Sequence, residues 1–399
     1  MDYPKLYLAI DNCFASKRWT EPDDWARVIK NLGISYVEAS ADNECDPLYS
    51  GSEYLCDWAR LVSDLPKKHR LKVANLYSGH GTYATLGLAH TDKRIRDRMQ
   101  YDWLMPMMNI ASEADCGIGF FCHAFSQAVL QDSSKYEQSK DDLYKRLSEL
   151  SSYWSTKSRY NMISVEQMYT PHQIPWTVNG SLEMIKEIYA KENKPCYITI
   201  DTGHQSGQHK YLPLSKELIL TSFDKESSDN IWMYAPASSL SDFYHNIVNN
   251  VNDGKKTASD GADEILQIQK EYPYLFSQPQ DSDTYHWLRI LGGYSPIIHL
   301  QQTNGKSSSH LAFDSTSNET GIIKADKILK ALLDCYNAPK DSLMPPMCDK
   351  IYLTLEMFFS TSEYPSVILD KMQKSVDYFR KAIPDDGIYL NEAVKLLTK

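Results

Sequence analysis

The stretch Cys196-Tyr197-Ile198-Thr199-Ile200-Asp201 is a short, β-rich apolar run that ends in an acid, and similar runs recur along the chain. Because they alternate with longer amphipathic stretches, they indicate parallel strands joined by helices. Eight strands are predicted, at residues 6–10, 36–39, 72–76, 117–122, 161–165, 196–200, 296–300 and 351–355. Eight such units predict an α/β protein, a (β/α)8 TIM barrel that forms a single domain over residues 1–399.

The segments between the predicted strands carry helix signals. Pro22 and two following acids open a helix that Gly33 ends, which is a common start and stop. Residues 94–114, 181–191 and 322–336 place apolar side chains at helical spacing before the fourth, sixth and eighth strands. Each strand is therefore expected to lead into a crossover helix.

The connection between the sixth and seventh strands is unusually long. Residues 205–291 exceed the length that a helical crossover needs and contain two polar runs, at residues 224–230 and 249–260. Barrels often carry such insertions on the C-terminal face, where the active site lies. We expect an insertion on that face that serves as a lid or an oligomer contact, and a separate small domain is the alternative.

Composition and charge argue against several classes of partner. The formal net charge is -10 and the sequence has no clustered Lys/Arg footprint, which argues against nucleic acid. No run approaches the ~18 apolar residues of a membrane span, and the N-terminus lacks the pattern of a secretory signal. Eight dispersed cysteines suit reduced thiols. We expect a cytoplasmic protein that binds neither nucleic acid nor a membrane.

Ionisable side chains stand at the ends of the last four predicted strands. They are Glu166, Asp201, His299 and Glu356. Strand ends of a barrel converge on one basin, where three carboxylates would be costly to bury unless a cation held them. One such acid alone could equally be a helix N-cap, but four positions in succession predict a metal site. Oxygen-rich ligation with one imidazole suits one Mn²⁺, Mg²⁺ or Co²⁺ ion, with Zn²⁺ as the alternative.

The string Asp201-Thr202-Gly203-His204, set between Glu166 and the pair His299 and Glu356, resembles the xylose isomerase-like barrel superfamily. Within it, the sugar isomerase and epimerase branch that includes the ketose 3-epimerases is the most similar. The likeness extends to residues 80–83, to the helix of residues 94–114, and to the strand pattern over nearly the whole chain. The long connection after His204 departs from the compact members.

The resemblance implies roles for individual residues. Four positions match the metal ligands of the family: Glu166, Asp201, His299 and Glu356. The two glutamates also match its paired acid/base residues, and His204 matches a histidine that contacts substrate oxygens. Compact epimerases have an arginine after the seventh-strand histidine, whereas this chain continues with Gln301 and a polar run. Gln301 is therefore a candidate substrate ligand, and substrate recognition stays open.

A metal beside two carboxyl groups suits proton transfer next to a carbonyl. Moving such a proton generates an enediolate, whose negative charge a divalent cation stabilises. Glu166 and Glu356 can remove and return the proton if one of them stays protonated, which their mutual repulsion favours. The chain is therefore interpreted as a metal-dependent isomerase or epimerase of a small sugar, sugar phosphate or polyol ketone.

Other side chains are candidates for substrate binding, each with a structural alternative. His80 and His123 follow the third and fourth strands, and either could equally be a loop histidine bonded to the backbone. His310 follows a serine run after the seventh strand and could face the site. Trp176 either stacks on a sugar or packs beneath its own loop. Glu38, in the second strand, is either catalytic or the partner of a neighbouring Lys or Arg.

Other functions remain open alternatives. Elimination from the same intermediate would make the protein a lyase or dehydratase of a keto-sugar. Metal-dependent nucleases for damaged DNA share the superfamily, but they work beneath a basic surface that this acidic chain lacks. A non-catalytic sugar-binding barrel would be indifferent to metal. For each alternative in which the protein is an enzyme acting on sugars, the partner is a small carbohydrate. A homo-oligomer is left open, because such barrels often pair.

Overall fold

The eight predicted strands form the inner wall of the protein. The computed structural model describes residues 3–15, 17–78, 86–158, 162–223 and 238–397, with the side chains of 238–243 left aside. The strands are β1 (Lys5–Asp11), β2 (Tyr36–Ser40), β3 (Lys72–Ser78), β4 (Gly117–Phe120), β5 (Ile163–Glu166), β6 (Tyr197–Asp201), β7 (Ile297–Leu300) and β8 (Lys350–Leu355). Each pairs in parallel with the next, and β1 pairs with both β8 and β2, so the sheet closes. The predicted (β/α)8 barrel is confirmed.

The register of neighbouring strands brings their polar ends to one edge. Glu166 on β5 is paired with Thr199, Asp201 on β6 with His299, and His299 in turn with Thr354 on β8. All of these strands run in the same direction, so their carboxyl-terminal ends meet at the same end of the barrel. That end holds the candidate functional groups.

Three tyrosine rings lie together at the opposite end of the barrel interior. The ring of Tyr7 lies 4.9 Å from that of Tyr36 and 5.0 Å from that of Tyr352, measured between centroids. Ala9 and Ile297 pack in the same apolar cluster, which is separate from the main core between strands and helices. We call the three tyrosines the tyrosine plug.

Helices surround the barrel. Their bounds are α1 (Pro22–Asn31), α2 (Ala41–Glu44), α3 (Pro47–Lys68), α4 (Lys93–Arg98), α5 (Met105–Glu113), α6 (Gln127–Leu130), α7 (Ser133–Lys157), α8 (Val178–Glu192), α9 (Gln205–Gln208), α10 (Lys216–Phe223), α11 (Ser238–Asn252), α12 (Ala258–Glu271), α13 (Thr284–Leu291), α14 (Ser315–Thr320), α15 (Ala325–Asn337), α16 (Pro365–Arg380) and α17 (Leu390–Leu397). A two-residue strand, β9 (Ile388–Tyr389), runs antiparallel to the start of β1.

Helix α1 begins at Pro22 and ends before Gly33, where the sequence predicts its start and stop. The helix begins at Pro22 with two acids in its first turn, and it buries Trp25 and Ile29 against the barrel. Gly33 follows with a φ of 81°, a left-handed conformation that glycine adopts without steric cost.

The helix predicted over residues 94–114 is irregular. A π-helical turn, Met99–Leu104, joins α4 to α5. Pro106 lies in the first turn of α5 and has no N–H to donate to the carbonyl four residues earlier, so the regular bonding pattern cannot run through this point. Gln100, on the π turn, is buried and accepts a hydrogen bond of 2.7 Å from Arg146.

Residues 205–291 connect β6 to β7. Three of their helices, α10, α11 and α12, pack around a small apolar cluster that is separate from the main core: Ile219, Phe223, Tyr244, Ile247, Val248, Ala262 and Ile265. The last helix, α13, packs on the barrel through Trp287 and Leu291. That this segment is an insertion over the active-site face of a single domain stays a prediction.

The structure bears on two expectations drawn from composition. No helix in the described ranges combines the length and the apolar character that crossing a membrane requires. None of the eight cysteines, all of which lie within those ranges, forms a disulfide.

Candidate active site

The four predicted metal ligands come together at the carboxyl-terminal ends of neighbouring strands. Glu166 and Asp201 are the last residues of β5 and β6, His299 lies in β7, and Glu356 directly follows β8. All four are buried, and each offers one ligand atom within 4.8 Å of the others. We call these residues the strand-end cluster.

His299 lies between the acids of the strand-end cluster. Its Nδ1 is 3.0 Å from Oε1 of Glu166 and 3.4 Å from Oε2 of Glu356. Its Nε2 is 2.8 Å from Oε2 of Glu38. Burial by itself lowers the pKa of His299, but the charges of Glu356 and Glu38 and the hydrogen bonds outweigh burial and raise that pKa well above its usual value. The imidazole therefore uses both ring nitrogens to contact carboxyl groups.

Asp201 is held by donors on both carboxylate oxygens. Oδ1 accepts hydrogen bonds from the backbone N–H groups of Gly203 (2.6 Å) and His204 (3.0 Å), and Nε2 of Gln301 lies 2.8 and 3.0 Å from the two oxygens. Burial raises the pKa of Asp201, but the nearby histidine charges and the Gln301 bond outweigh it, so the net pKa is lowered. A Cβ at position 203 would lie 2.3 Å from the Gln301 side chain. An alanine there would require the Gln301 side chain to move.

Glu166 and Glu356 differ in their surroundings. Burial raises the pKa of Glu166, but its hydrogen bond with His299 and the charges of two histidines outweigh burial and leave that pKa lowered. The hydroxyl of Tyr77 also donates to Glu166. Burial raises the pKa of Glu356 well above its usual value; His299 opposes this rise, and the negative charge of Asp201 reinforces it. Glu166 is therefore the more acidic of the two.

His204 lies beside Asp201 with a fixed ring orientation. Its Nδ1 is 2.7 Å from the backbone carbonyl oxygen of Gln167, so Nδ1 carries the proton that is donated there. Its Nε2 is 4.0 Å from Oδ1 of Asp201, and the edge of the ring meets Tyr169 at a centroid distance of 4.8 Å. The structure thus places this predicted substrate ligand next to the strand-end cluster, with Nε2 on the cluster side.

His310 and Gln301 also adjoin the strand-end cluster. The Gln301 side chain accepts a hydrogen bond of 2.6 Å from the backbone N–H of His310, whose φ is 45°. Nδ1 of His310 lies 3.5 Å from Oε2 of Glu356, and its ring stacks on Phe358 at 3.9 Å. Burial lowers the pKa of His310 to about 4, so the imidazole is neutral near pH 7. It can therefore accept or donate a hydrogen bond.

The other predicted substrate ligands do not contact the cluster in the part of the chain that the structure describes. His80 lies outside the described residues. His123 is buried against Phe121 at a centroid distance of 4.4 Å, and burial lowers its pKa to about 3. Trp176 is buried edge-on against Tyr211 and lines a cavity of about 320 Å³. This is the packing alternative for Trp176, and substrate contact by all three stays a prediction.

Reasoning from the sequence does not find Tyr77 and does not find the partner of Glu38. Tyr77 falls just after the predicted third strand, yet it lies in β3 and contacts Glu166. Glu38 is predicted to be either catalytic or the partner of a Lys or Arg, and its hydrogen-bond partners in the structure are His299 and Asn75. The signal for Glu38 was present, since it is an acid near the end of a predicted strand, but its partner lies across the barrel.

Comparison with known proteins was made for sequence and for structure. No protein-family model and no curated protein matches the chain. A candidate xylose isomerase from Rhodospirillum rubrum superposes with a TM-score of 0.66 at 16% identity over 94% of this chain and 98% of that chain. A D-tagatose 3-epimerase-like protein gives 0.54 at 13% over 99% and 100%. A D-allulose 3-epimerase from Methylomonas sp. gives 0.50 at 12% over 95% and 98%.

This chain has the xylose isomerase-like barrel fold. At these identities the likeness carries the fold and no more, so the chemistry rests on the site itself.

The donor set in this xylose isomerase-like barrel fits a divalent cation. In the described residues, no Lys or Arg contacts Glu166 or Asp201, whose partners are histidines, Tyr77, Gln301 and backbone N–H groups. Histidines are thus the source of positive charge beside these acids in the described residues, and burying several carboxylates together remains costly. Three carboxylates and one imidazole are ligands that hard divalent ions accept.

Proposed function

We propose that this protein is a divalent-metal-dependent isomerase or epimerase of a small sugar, sugar phosphate or polyol ketone. The observation that carries the proposal is the convergence of Glu166, Asp201, His299 and Glu356 in one buried cluster, with ligand atoms within 4.8 Å of one another. Two of these ligands are glutamates in unlike surroundings, which is the arrangement that acid/base chemistry on one substrate requires. Mn²⁺, Mg²⁺ and Co²⁺ are the proposed ions, with Zn²⁺ as the alternative.

The two glutamates have separate parts in the proposed proton transfer. A bound divalent ion would supply positive charge where negative charge develops on the substrate oxygens. Glu166, whose pKa is lowered, is the base that takes a proton from the carbon next to the carbonyl. Glu356, whose pKa is raised, is the acid that supplies a proton. Delivery to the other face of the same carbon gives an epimer, and delivery to the neighbouring carbon gives an isomer.

Three neighbouring side chains would orient the substrate. His204 and His310 border the cluster on the sides of Asp201 and Glu356. Gln301 connects the two sides, since its amide nitrogen contacts Asp201 and its oxygen accepts from the backbone of His310. Imidazole rings and an amide suit the hydroxyl groups of a sugar, because they form directional hydrogen bonds with them.

The test is exchange of a substrate C–H proton with solvent. Glu166→Gln and Glu356→Gln each are expected to abolish deuterium incorporation from D₂O into a panel of ketoses and ketose phosphates, followed by NMR on metal-loaded protein. Glu319→Gln, an exposed acid on α14, is the matched control and should exchange normally. Normal exchange in either cluster variant would refute the proposal. Loss of water from the substrate would identify the lyase alternative.

The proposal also covers the cellular location and the partners of the protein. We propose a cytoplasmic location, a small carbohydrate substrate, no membrane partner and no nucleic-acid partner. The acidic charge of -10 supports the last of these. Whether the protein pairs with a second copy is tested by light scattering of the purified chain.

A further inference from the structure

We propose that Glu38 is a positioning residue that fixes His299 for metal binding. The inference rests on the proposed metal site and concerns a residue outside the four ligands. It assigns a purpose to a fully buried acid on β2, on the far side of the imidazole from Glu166 and Glu356.

The contact between Glu38 and His299 decides which ring nitrogen faces the cluster. Oε2 of Glu38 lies 2.8 Å from Nε2 of His299, while Nδ1 lies 3.0 Å from Glu166 and 3.4 Å from Glu356. Because a carboxylate accepts hydrogen bonds, Glu38 holds the proton on Nε2. Nδ1 is then the ring nitrogen that would give up its proton and offer a lone pair to a cation in the cluster. The edge of the ring also meets Tyr77 at a centroid distance of 4.9 Å. The imidazole is therefore held in one orientation, with Nδ1 toward the cluster.

Glu38 is itself held in place. Its Oε1 accepts a hydrogen bond of 2.6 Å from Nδ2 of Asn75, its paired residue on β3, and the β2–β3 register shifts between Val37 and Glu38. Such a shift re-aims a side chain without ending the strand pairing. The Asn75 amide in turn lies against two glycines of β4: a Cβ at Gly117 would approach it to 2.7 Å and one at Gly119 to 2.9 Å. Three strands thus contribute to fixing this one carboxylate.

An apolar side chain at position 38 would fill the same space at a lower cost in free energy than the buried carboxyl group of Glu38. Elsewhere in the barrel interior, Ala9, Ile297 and the tyrosine plug fill space without ionised groups at neutral pH. A buried carboxyl group costs free energy that its hydrogen bonds only partly offset. A carboxylate behind a metal-binding histidine contributes to function instead, because it orients the ring and makes the ring a better ligand.

The measurement that tests this inference is metal affinity, without reference to turnover. We expect Glu38→Gln to bind Mn²⁺ about 10- to 100-fold more weakly than the unchanged chain, as for other outer partners of metal ligands. Binding would be followed by electron paramagnetic resonance of free Mn²⁺, with thermal unfolding confirming that each variant folds. Glu44→Gln is the matched control, since Glu44 is a buried, hydrogen-bonded acid that does not contact His299. It should bind Mn²⁺ as the unchanged chain does.

The outcomes separate this inference from the proposed function. Equal Mn²⁺ affinity in Glu38→Gln and the unchanged chain would overturn the role of Glu38 and leave the metal site intact. No Mn²⁺ binding by the unchanged chain would overturn the metal site and the inference with it. Two ions per chain, falling to one in Glu38→Gln, would show that Glu38 is a ligand, with Asp11, of a second ion and would also overturn the inference.

A second readout distinguishes positioning from a general packing role. In the Co²⁺-loaded protein the Nε2 proton of His299 should give one exchangeable, strongly shifted proton resonance, because the bonded carboxylate protects it from water. Glu38→Ala should lose that resonance through exchange, and Glu44→Gln should retain it. A resonance that survives Glu38→Ala would contradict the proposed hydrogen bond.

Discussion

A buried carboxyl group takes its acidity from the atoms around it. Glu44, on α2 and apart from the strand-end cluster, accepts hydrogen bonds from the indole N–H groups of Trp25 (2.9 Å) and Trp58 (3.2 Å) and from the Asn12 amide (2.5 Å). Each of these bonds favours the charged form. Burial outweighs them and raises the pKa of Glu44 to about 8.

The Glu44 side chain should make the stability of the protein depend on pH. Its folded-state pKa lies above its unfolded value of 4.5, so its contribution is fully present below about pH 4.5 and is lost as the pH rises through about 8. A difference of one between the folded and unfolded pKa corresponds to about 1.4 kcal/mol, so the loss is on the order of a few kcal/mol. Urea unfolding with a chelator at pH 6 and pH 9 measures it.

The variant Glu44→Gln should remove most of that dependence, because glutamine does not titrate. The exposed-acid variant Glu319→Gln should keep the dependence of the unchanged chain. If Glu44→Gln and the unchanged chain lost equal free energy of unfolding between the two pH values, the effect would belong to other groups.

Residue types in the strand-end cluster were predictable from sequence, whereas their partners were not. A short β-rich apolar run marks a strand, and eight such runs between amphipathic stretches mark a barrel. An ionisable residue at the end of such a run marks a candidate for the site. That Glu38 meets His299 depends on closure of the sheet, which joins residues 261 positions apart. Nothing local to either residue signals that contact.

At the scale of the element, the turn after β6 lies close against the residue that follows β7. Gly203 leaves room for the Gln301 side chain, which contacts Asp201. Gly203→Ala would place a methyl group 2.3 Å from that side chain. We expect the substitution to reduce the free energy of unfolding by about 1–3 kcal/mol, as for other overpacked sites, measured by urea denaturation.

The double variant Gly203→Ala with Gln301→Ala tests the cause of that loss. Truncating Gln301 removes the group that the new methyl meets, so the double variant should lose less free energy than the sum of the two single variants. Additive losses would show that the Gly203→Ala effect arises elsewhere in the turn.

The elements themselves followed from sequence to within a few residues at most boundaries. Predicted strands at residues 36–39 and 351–355 became Tyr36–Ser40 and Lys350–Leu355. The π turn at Met99–Leu104 was not predicted. Apolar spacing reports which face of a helix is buried, but it does not report how the backbone accommodates Pro106.

At the scale of the whole molecule, a cation in the strand-end cluster would connect four strands of the barrel. Binding to the folded state alone stabilises it by about 2.7 kcal/mol at a hundred-fold excess of ion over the dissociation constant. We therefore expect Mn²⁺ to raise the urea midpoint and a chelator to reverse the rise. Asp201→Asn should lose most of this response, and an equal response in that variant would place the ion elsewhere.

The tyrosine plug has a consequence for kinetics. Tyr7, Tyr36 and Tyr352 lie together at the amino-terminal end of the barrel interior. Under the proposed function, a sugar would therefore enter from the carboxyl-terminal end, and its product would leave by the same route. Because substrate and product would occupy the same strand-end cluster, we expect product inhibition to be competitive.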